Sequence, residues 1–214
     1  MQTRIKICGI TRDQDLRDAV QAGADAIGFV QYAPSPRCIS LDRLQALAEQ
    51  LPAFVTPVLL YVNAQPQDIE AGLRCVPHAV LQFHGDETPA DCAQWGRPYL
   101  KAARIPDPAQ ESFDLLQYAL DFATASAILL DAKIDAYGGG GHTFNWAAFD
   151  WSHPQLNAST RLVLSGGLTS ANVIDGIKQV RPWAVDVSSG VESAKGIKDR
   201  EKIEAFVRAV RQTG

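Results

Sequence analysis

Lys6 and Cys8 lie two residues apart on a short run of strand-forming residues, RIKICGI (4–10). Side chains two apart in a strand share a face, so the run would set an ammonium beside a thiol. A nearby cation lowers a cysteine pKa from its free value of ~8.5 and makes thiolate available as base or nucleophile. The plainer reading makes Cys8 a small core residue and lets Lys6 reach out to water. Asp131 offers a complementary group at the end of the apolar run AILLDAKI (127–134), with Lys133 on its face. A carboxyl in a semi-enclosed apolar rim tends to have a raised pKa and can donate a proton near neutrality. Alternatively, Asp131 pairs with Lys133 or caps the following loop.

Other residues have the chemistry to hold anions. In A-P-S-P-R (33–37) two prolines restrict the backbone and fix where Arg37 points. A preset guanidinium suits a bidentate grip on a carboxylate. A solvated surface arginine is the competing view. Ser165-Gly166-Gly167-Leu168 and Ser188-Ser189-Gly190-Val191 pair hydroxyls with glycines, whose bare backbone lets N–H groups approach an anion. Two tight turns without a ligand would read the same way. Ser193–Gly196 is expected to belong to a short extra helical turn beside them. Gln82 and His84 share a face and are expected to reach a substrate, while Asp186 is expected to orient its neighbours. The run Gly138–Gly141 followed by His142 reads as a mobile loop that closes on ligand, or as a connector with no role.

Elements with one repeated form would position these groups. Eight β-branched runs cover 4–10, 25–32, 56–63, 79–85, 98–105, 127–134, 161–168 and 184–190. Helical patterns fall between them, such as the Leu41, Leu44, Leu47, Ala48, Leu51 stripe and the segment from Asp13 that stops at Gly23. The weakest pattern is WAAFDW (146–151), after the sixth run. Strands alternating with helices imply a parallel sheet. Eight units in 214 residues close naturally into an α/β fold, a single (β/α)8 TIM barrel over residues 1–214, compact beside the usual ~250 residues. An open doubly wound sheet is the runner-up. It would need a glycine fingerprint after the first strand, where Cys8-Gly9-Ile10-Thr11 stands instead. In such barrels the chemistry sits at the carboxyl ends of the strands, where every residue above falls.

Composition bounds the function class. The net charge of −4 and pI near 5.5 argue against a nucleic-acid binder, which shows a basic face. Hydrophobic residues make up 46%, enough for a full core and too many for a disordered chain. No run approaches the roughly 18 apolar residues of a membrane span, and the N-terminus lacks a signal-peptide pattern, so a cytoplasmic protein is expected. Cys8, Cys38, Cys75 and Cys92 contain no C-x-x-C pair, so they read as reduced thiols rather than a zinc cage. A closed barrel offers no strand edge to a partner and the helices show no unmatched apolar stripe, so nothing in the sequence sets an oligomeric state.

In their order and spacing, K-I-C-G-I-T (6–11), S-P-R (35–37), Q-F-H-G (82–85), L-L-D (129–131), G-G-G-G-H-T-F-N-W (138–146), S-G-G-L (165–168) and D-V-S-S-G-V-E (186–192) resemble the phosphoribosylanthranilate isomerases of tryptophan biosynthesis. Nearly the whole chain is covered. Asn145 and Phe83 stand where that family commonly has Asp and Leu. The resemblance implies a barrel without cofactor or metal that performs an Amadori rearrangement. N-(5-phosphoribosyl)anthranilate would become 1-(2-carboxyphenylamino)-1-deoxyribulose 5-phosphate. It makes Cys8 the general base, Asp131 the general acid and Arg37 the holder of the anthranilate carboxylate. Gly166, Gly167, Ser188, Ser189 and Gly190 would take the phosphate of this small-molecule substrate.

Two rivals keep the barrel. An indole-glycerol-phosphate synthase would place lysine and glutamate at the catalytic strand ends, and a metal-dependent epimerase would use histidine and carboxylate ligands. Here a thiol holds the base position, and His78, His84, His142 and His153 form no obvious ligand cluster. A barrel that merely binds a phosphorylated ligand or a partner protein would need neither Cys8 nor Asp131 at its rim.

Overall fold

Every one of the eight runs becomes a strand in the computed structural model, which describes residues 2–107, 109–132, 143–153, 156 and 160–214. The strands are β1 (Arg4–Cys8), β2 (Ala26–Val30), β3 (Thr56–Tyr61), β4 (Val80–Phe83), β5 (Tyr99–Ile105), β6 (Ala127–Ala132), β7 (Leu162–Leu164) and β8 (Ala184–Val187). They pair in chain order, and β8 returns to pair with β1 in parallel through Arg4–Ala184 to Ile7–Val187. This closure excludes the open doubly wound sheet. The strands stop short of the expected carboxyl ends. After Cys8 the chain turns at Gly9, whose φ of +77 suits a residue without a side chain.

Among the described residues, α1 (Asp13–Ala22), α2 (Leu41–Ala48), α3 (Pro66–Cys75), α4 (Pro89–Ala93), α5 (Leu115–Asp121), α6 (Val173–Val180) and α7 (Arg200–Arg211) surround the barrel. Their ends follow local chemistry. Gly23, left-handed at φ 100, closes α1 by donating to the Ala19 and Val20 carbonyls. The Thr88 hydroxyl and the Asp91 carboxylate form a capping box on α4. The Asp199 side chain caps α7 by accepting from Lys202 N–H.

Alternation along the strands separates two interiors. Ile5, Ile7, Ile27, Leu59 and Leu81 face outward into the main core beneath the helices. Val58, Leu100, Ala102, Ala127, Leu129, Val163 and Ala184 fill the lower barrel. The same parity carries Lys6, Cys8, Gln82 and Asp131 inward at the upper end.

Two expectations change. WAAFDW gives only a 3-10 turn at Trp146–Ala148, since its apolar residues pack as a cluster: Phe149 and Trp151 lie 5.2 Å apart between ring centroids. Residues 193–196 join an antiparallel hairpin of β9 (Glu192–Ala194) and β10 (Ile197–Lys198), because Gly196 at φ +78 reverses the chain. The helical turn at this end is instead a 3-10 turn at Ser189–Val191. Lys133 and the Gly138–His142 loop lie outside the described residues.

Candidate active site

At the carboxyl ends of the strands a cavity is lined by Cys8, Arg37, Gln82, His84, Asp131, Ser165, Asp186 and Ser188. Val30, Tyr32, Leu60 and Val62 supply its apolar wall. The thiol and the carboxyl named from sequence thus face one space.

The thiol side is built on an ion pair. Lys6 Nζ donates to Asp186 Oδ1 at 2.8 Å, both side chains nearly sealed from solvent. Ser165 Oγ reaches the other Asp186 oxygen at 3.4 Å. Burial works against the Lys6 ammonium, but Asp186 and Cys8 more than offset it and its pKa is raised. Cys8 corrects the expectation of a lowered pKa. Burial is the strongest influence and pushes the thiol up, Lys6 pulls it down, and Asp186 pushes it up again, leaving a net rise. The lysine is beside the thiol as expected, but its charge is shared with a carboxylate.

The carboxyl side is a chain of hydrogen bonds. Gln82 Nε2 lies 3.0 Å from His84 Nδ1, and His84 Nε2 lies 3.1 Å from Asp131 Oδ2. Asp131 Oδ1 accepts from the Ala132 N–H at 2.9 Å. Both carboxyl oxygens are thus engaged within a cavity whose other wall is apolar. Gln82 lines the cavity at its base, 0% exposed, with its amide nitrogen bonded to the imidazole.

Arg37 is already occupied on one edge. Its Nε and Nη2 each donate to Glu192 at 2.7 Å, a bidentate pair at the start of β9. A bidentate grip is thus made on the protein's own carboxylate, through the Nε and Nη2 edge. Lys198 Nζ also bonds Glu192 at 2.8 Å and reaches the Ser188 oxygens. Burial opposes a charge on Glu192, yet Arg37 and Lys198 hold its carboxyl below the usual range. Sequence reasoning gave Glu192 no role and did not single out Lys198. The usable signal was an acid inside D-V-S-S-G-V-E with Arg37 and Lys198 as the cations to answer it.

The glycine turns lie beside this cluster. Gly166 and Gly167 have φ of +77 and +60, and Ser189–Val191 makes its 3-10 turn opposite them. A Cβ on Gly190 would strike the Leu168 carbonyl oxygen, so glycine is what lets the two turns touch. Gly166, Gly167, Ser188, Ser189 and Gly190 are all half-buried. Among the described residues no group of three or more His, Cys, Asp or Glu side chains is arranged to hold a metal.

Comparison with known proteins decides the family. The family profile described as N-(5'phosphoribosyl)anthranilate (PRA) isomerase matches residues 5–209. The chain belongs to this family. N-(5'-phosphoribosyl)anthranilate isomerase of Methylibium petroleiphilum is 56% identical over 212 residues, covering 99% of this chain and 95% of the relative. The isomerase of Leptothrix cholodnii is 57% identical over 210 residues, covering 98% of this chain and 91% of the relative. The crystal structure of the Thermotoga maritima isomerase superposes with a TM-score of 0.86 at 38% identity, covering 99% of this chain and all of that one. An isomerase structure in complex with reduced 1-(o-carboxyphenylamino)-1-deoxyribulose 5-phosphate superposes at 0.81 with 35% identity and the same coverage. The chain is therefore an isomerase of the tryptophan-biosynthetic family on a (β/α)8 barrel. None of its described helices is long and apolar enough to cross a membrane.

Proposed function

We propose that Cys8 and Asp131 carry the family's reaction in this chain, the Amadori rearrangement of N-(5-phosphoribosyl)anthranilate to 1-(2-carboxyphenylamino)-1-deoxyribulose 5-phosphate. The supporting observation is that both groups line one cavity at the carboxyl end of the barrel, with Arg37 on the same wall. Asp131 protonates the furanose ring oxygen, the C1–O bond breaks, and the nitrogen lone pair forms an iminium. The iminium acidifies the C2 proton, and the Cys8 thiolate removes it. The enolamine then tautomerises to the ketone. One proton is given and one taken, so the isomerisation balances, and solvent at the mouth resets the acid and the base.

The substrate's two anionic ends give the protein handles. The Nη1 edge of Arg37 meets the carboxylate, and the turns at 166–167 and 188–190 meet the phosphate. Holding both ends fixes C1 and C2 between acid and base and removes the orientational part of the barrier. The test is a fluorescence assay with purified protein and phosphoribosylanthranilate. Loss of the anthranilate-type signal at a rate proportional to enzyme is expected. A signal that decays only at the uncatalysed rate would overturn the proposal.

A further inference from the structure

We propose that Gln82 and His84 act as positioning residues for the acid, a role that rests on the reading of Asp131 as proton donor. Side chains two apart on β4 share the barrel's inner face, so Gln82 sits one layer beneath His84. Gln82 is wholly buried, and its amide nitrogen is engaged by His84. Its Nε2–H bond to His84 Nδ1 makes that nitrogen the acceptor, which leaves the proton of the neutral ring on Nε2. His84 Nε2–H then donates to Asp131 Oδ2. The opposite carboxyl oxygen, Oδ1, keeps a free lone pair beyond its bond to Ala132 N–H and carries the proton that is given away.

This order has a catalytic consequence. When Asp131 releases its proton to the ring oxygen, negative charge grows on the carboxyl group. An N–H already aimed at Oδ2 stabilises that charge without reorganising, an interaction stronger in the transition state than before it. The Gln82 Oε1 atom has no hydrogen-bond partner among the described residues, so the bond to His84 is what the amide contributes.

Four variants and one spectrum test the assignment. His84→Leu removes the donor, and Gln82→Leu removes the group that fixes the tautomer. His84→Gln places an amide nitrogen near the lost Nε2 position. A hydrogen bond to a charged group is worth about a 10- to 100-fold rate factor. His84→Leu is expected to lose that factor in kcat with KM changed little, and His84→Gln to recover most of it. Gln82→Leu should lower kcat in the same pattern, although its amide reaches Asp131 only through His84. Nitrogen-15 NMR of the empty wild-type protein should show His84 protonated on Nε2, assigned by its absence in His84→Gln. Normal kcat in folded His84→Leu, or an Nδ1–H ring in the spectrum, would overturn the inference. The two readings fail separately. If the wild type does not turn over the substrate, or if Asp131→Asn turns over normally, the acid assignment fails. If the wild type works and Asp131→Asn does not, a normal His84→Leu defeats the positioning role alone.

Discussion

The two walls of the cavity hold their proton-active groups by opposite means. Cys8 rests on full charges: the Lys6–Asp186 pair lies against it, and Lys198 adds a weaker pull. Asp131 rests on neutral groups, the Gln82 amide and His84 imidazole on one carboxyl oxygen and the Ala132 N–H on the other. The difference follows from what each group must become. A thiol has to reach the anionic form in a nearly dry site, where burial opposes it, and a nearby cation is the strongest counterweight available. A carboxyl that gives up a proton needs one oxygen held against a donor and a lone pair kept on the other, which directional hydrogen bonds do and a point charge does not. The thiol wall is therefore sensitive to charge, and the carboxyl wall to geometry.

The largest expected effect removes either group altogether. Positioned acid–base groups contribute ~10² to 10⁴-fold each, so Cys8→Ala and Asp131→Asn should each lower kcat by at least that range. Near-normal turnover by both, in steady-state fluorescence assays, would erase the comparison. The intact enzyme adds a sign. Because burial raises the Cys8 pKa, the thiol is largely protonated at neutral pH and the thiolate fraction grows as pH rises. kcat/KM should therefore climb with pH through and beyond neutrality. A profile flat from pH 6 to 9 would mean the thiol does not limit the rate.

Arg37 comes next. Removing one charged hydrogen bond to a carboxylate costs about 10- to 100-fold in binding. Arg37→Ala should raise KM by that order while kcat falls less. A substrate analogue without the carboxylate should show no such penalty. An equal rise for both substrates would place the damage in the Glu192–Lys198 cluster that Arg37 helps to hold.

How much of this was legible in sequence depended on whether a partner was local. The barrel followed from eight repeats of one period, because each strand's alternation is set by its own neighbours. Lys6 with Cys8, and Gln82 with His84, could be placed on common faces because each pair is two residues apart on one strand. The partners that decide the chemistry come from far along the chain. Asp186 faces Lys6 across 180 residues and Glu192 faces Arg37 across 155. A spacing rule cannot see such contacts, so the Cys8 shift was given the wrong sign and Arg37 was taken as free. The hydrogen-bond partner of Asp131 was missed for the same reason, since His84 lies 47 residues away.

A charge test on the thiol wall follows. Replacing Lys6 alone would strand a buried Asp186 charge, which is strongly destabilising, so the informative variant is the neutral pair Lys6→Met with Asp186→Asn. The pull of Lys6 on Cys8 outweighs the push of Asp186. Removing both should therefore move the thiol pKa upward. The pH midpoint for iodoacetamide labelling of Cys8, located by peptide mass mapping, reads this without any turnover. A midpoint that moves down would mean that Asp186 outweighs Lys6.

The smallest expected effect on rate comes from Gly28, which lies beneath the thiol on β2. A Cβ there would stand 2.7 Å from Cys8 Sγ, 3.0 Å from Lys6 Nζ and 3.1 Å from the Cys8 Cα. The Cα belongs to a paired strand and cannot give way, and the lysine tip is held by Asp186. Gly28→Ala should thus overpack the barrel by about 1–3 kcal/mol, seen as a lower melting temperature. The added methyl also displaces the thiol from the ammonium. A charge-sensitive wall responds with a labelling midpoint shifted upward and a modest fall in kcat, with KM nearly unchanged. If the protein loses stability while the midpoint stays fixed, the closeness of Lys6 to the thiol is a matter of packing alone, and the contrast between the two walls disappears.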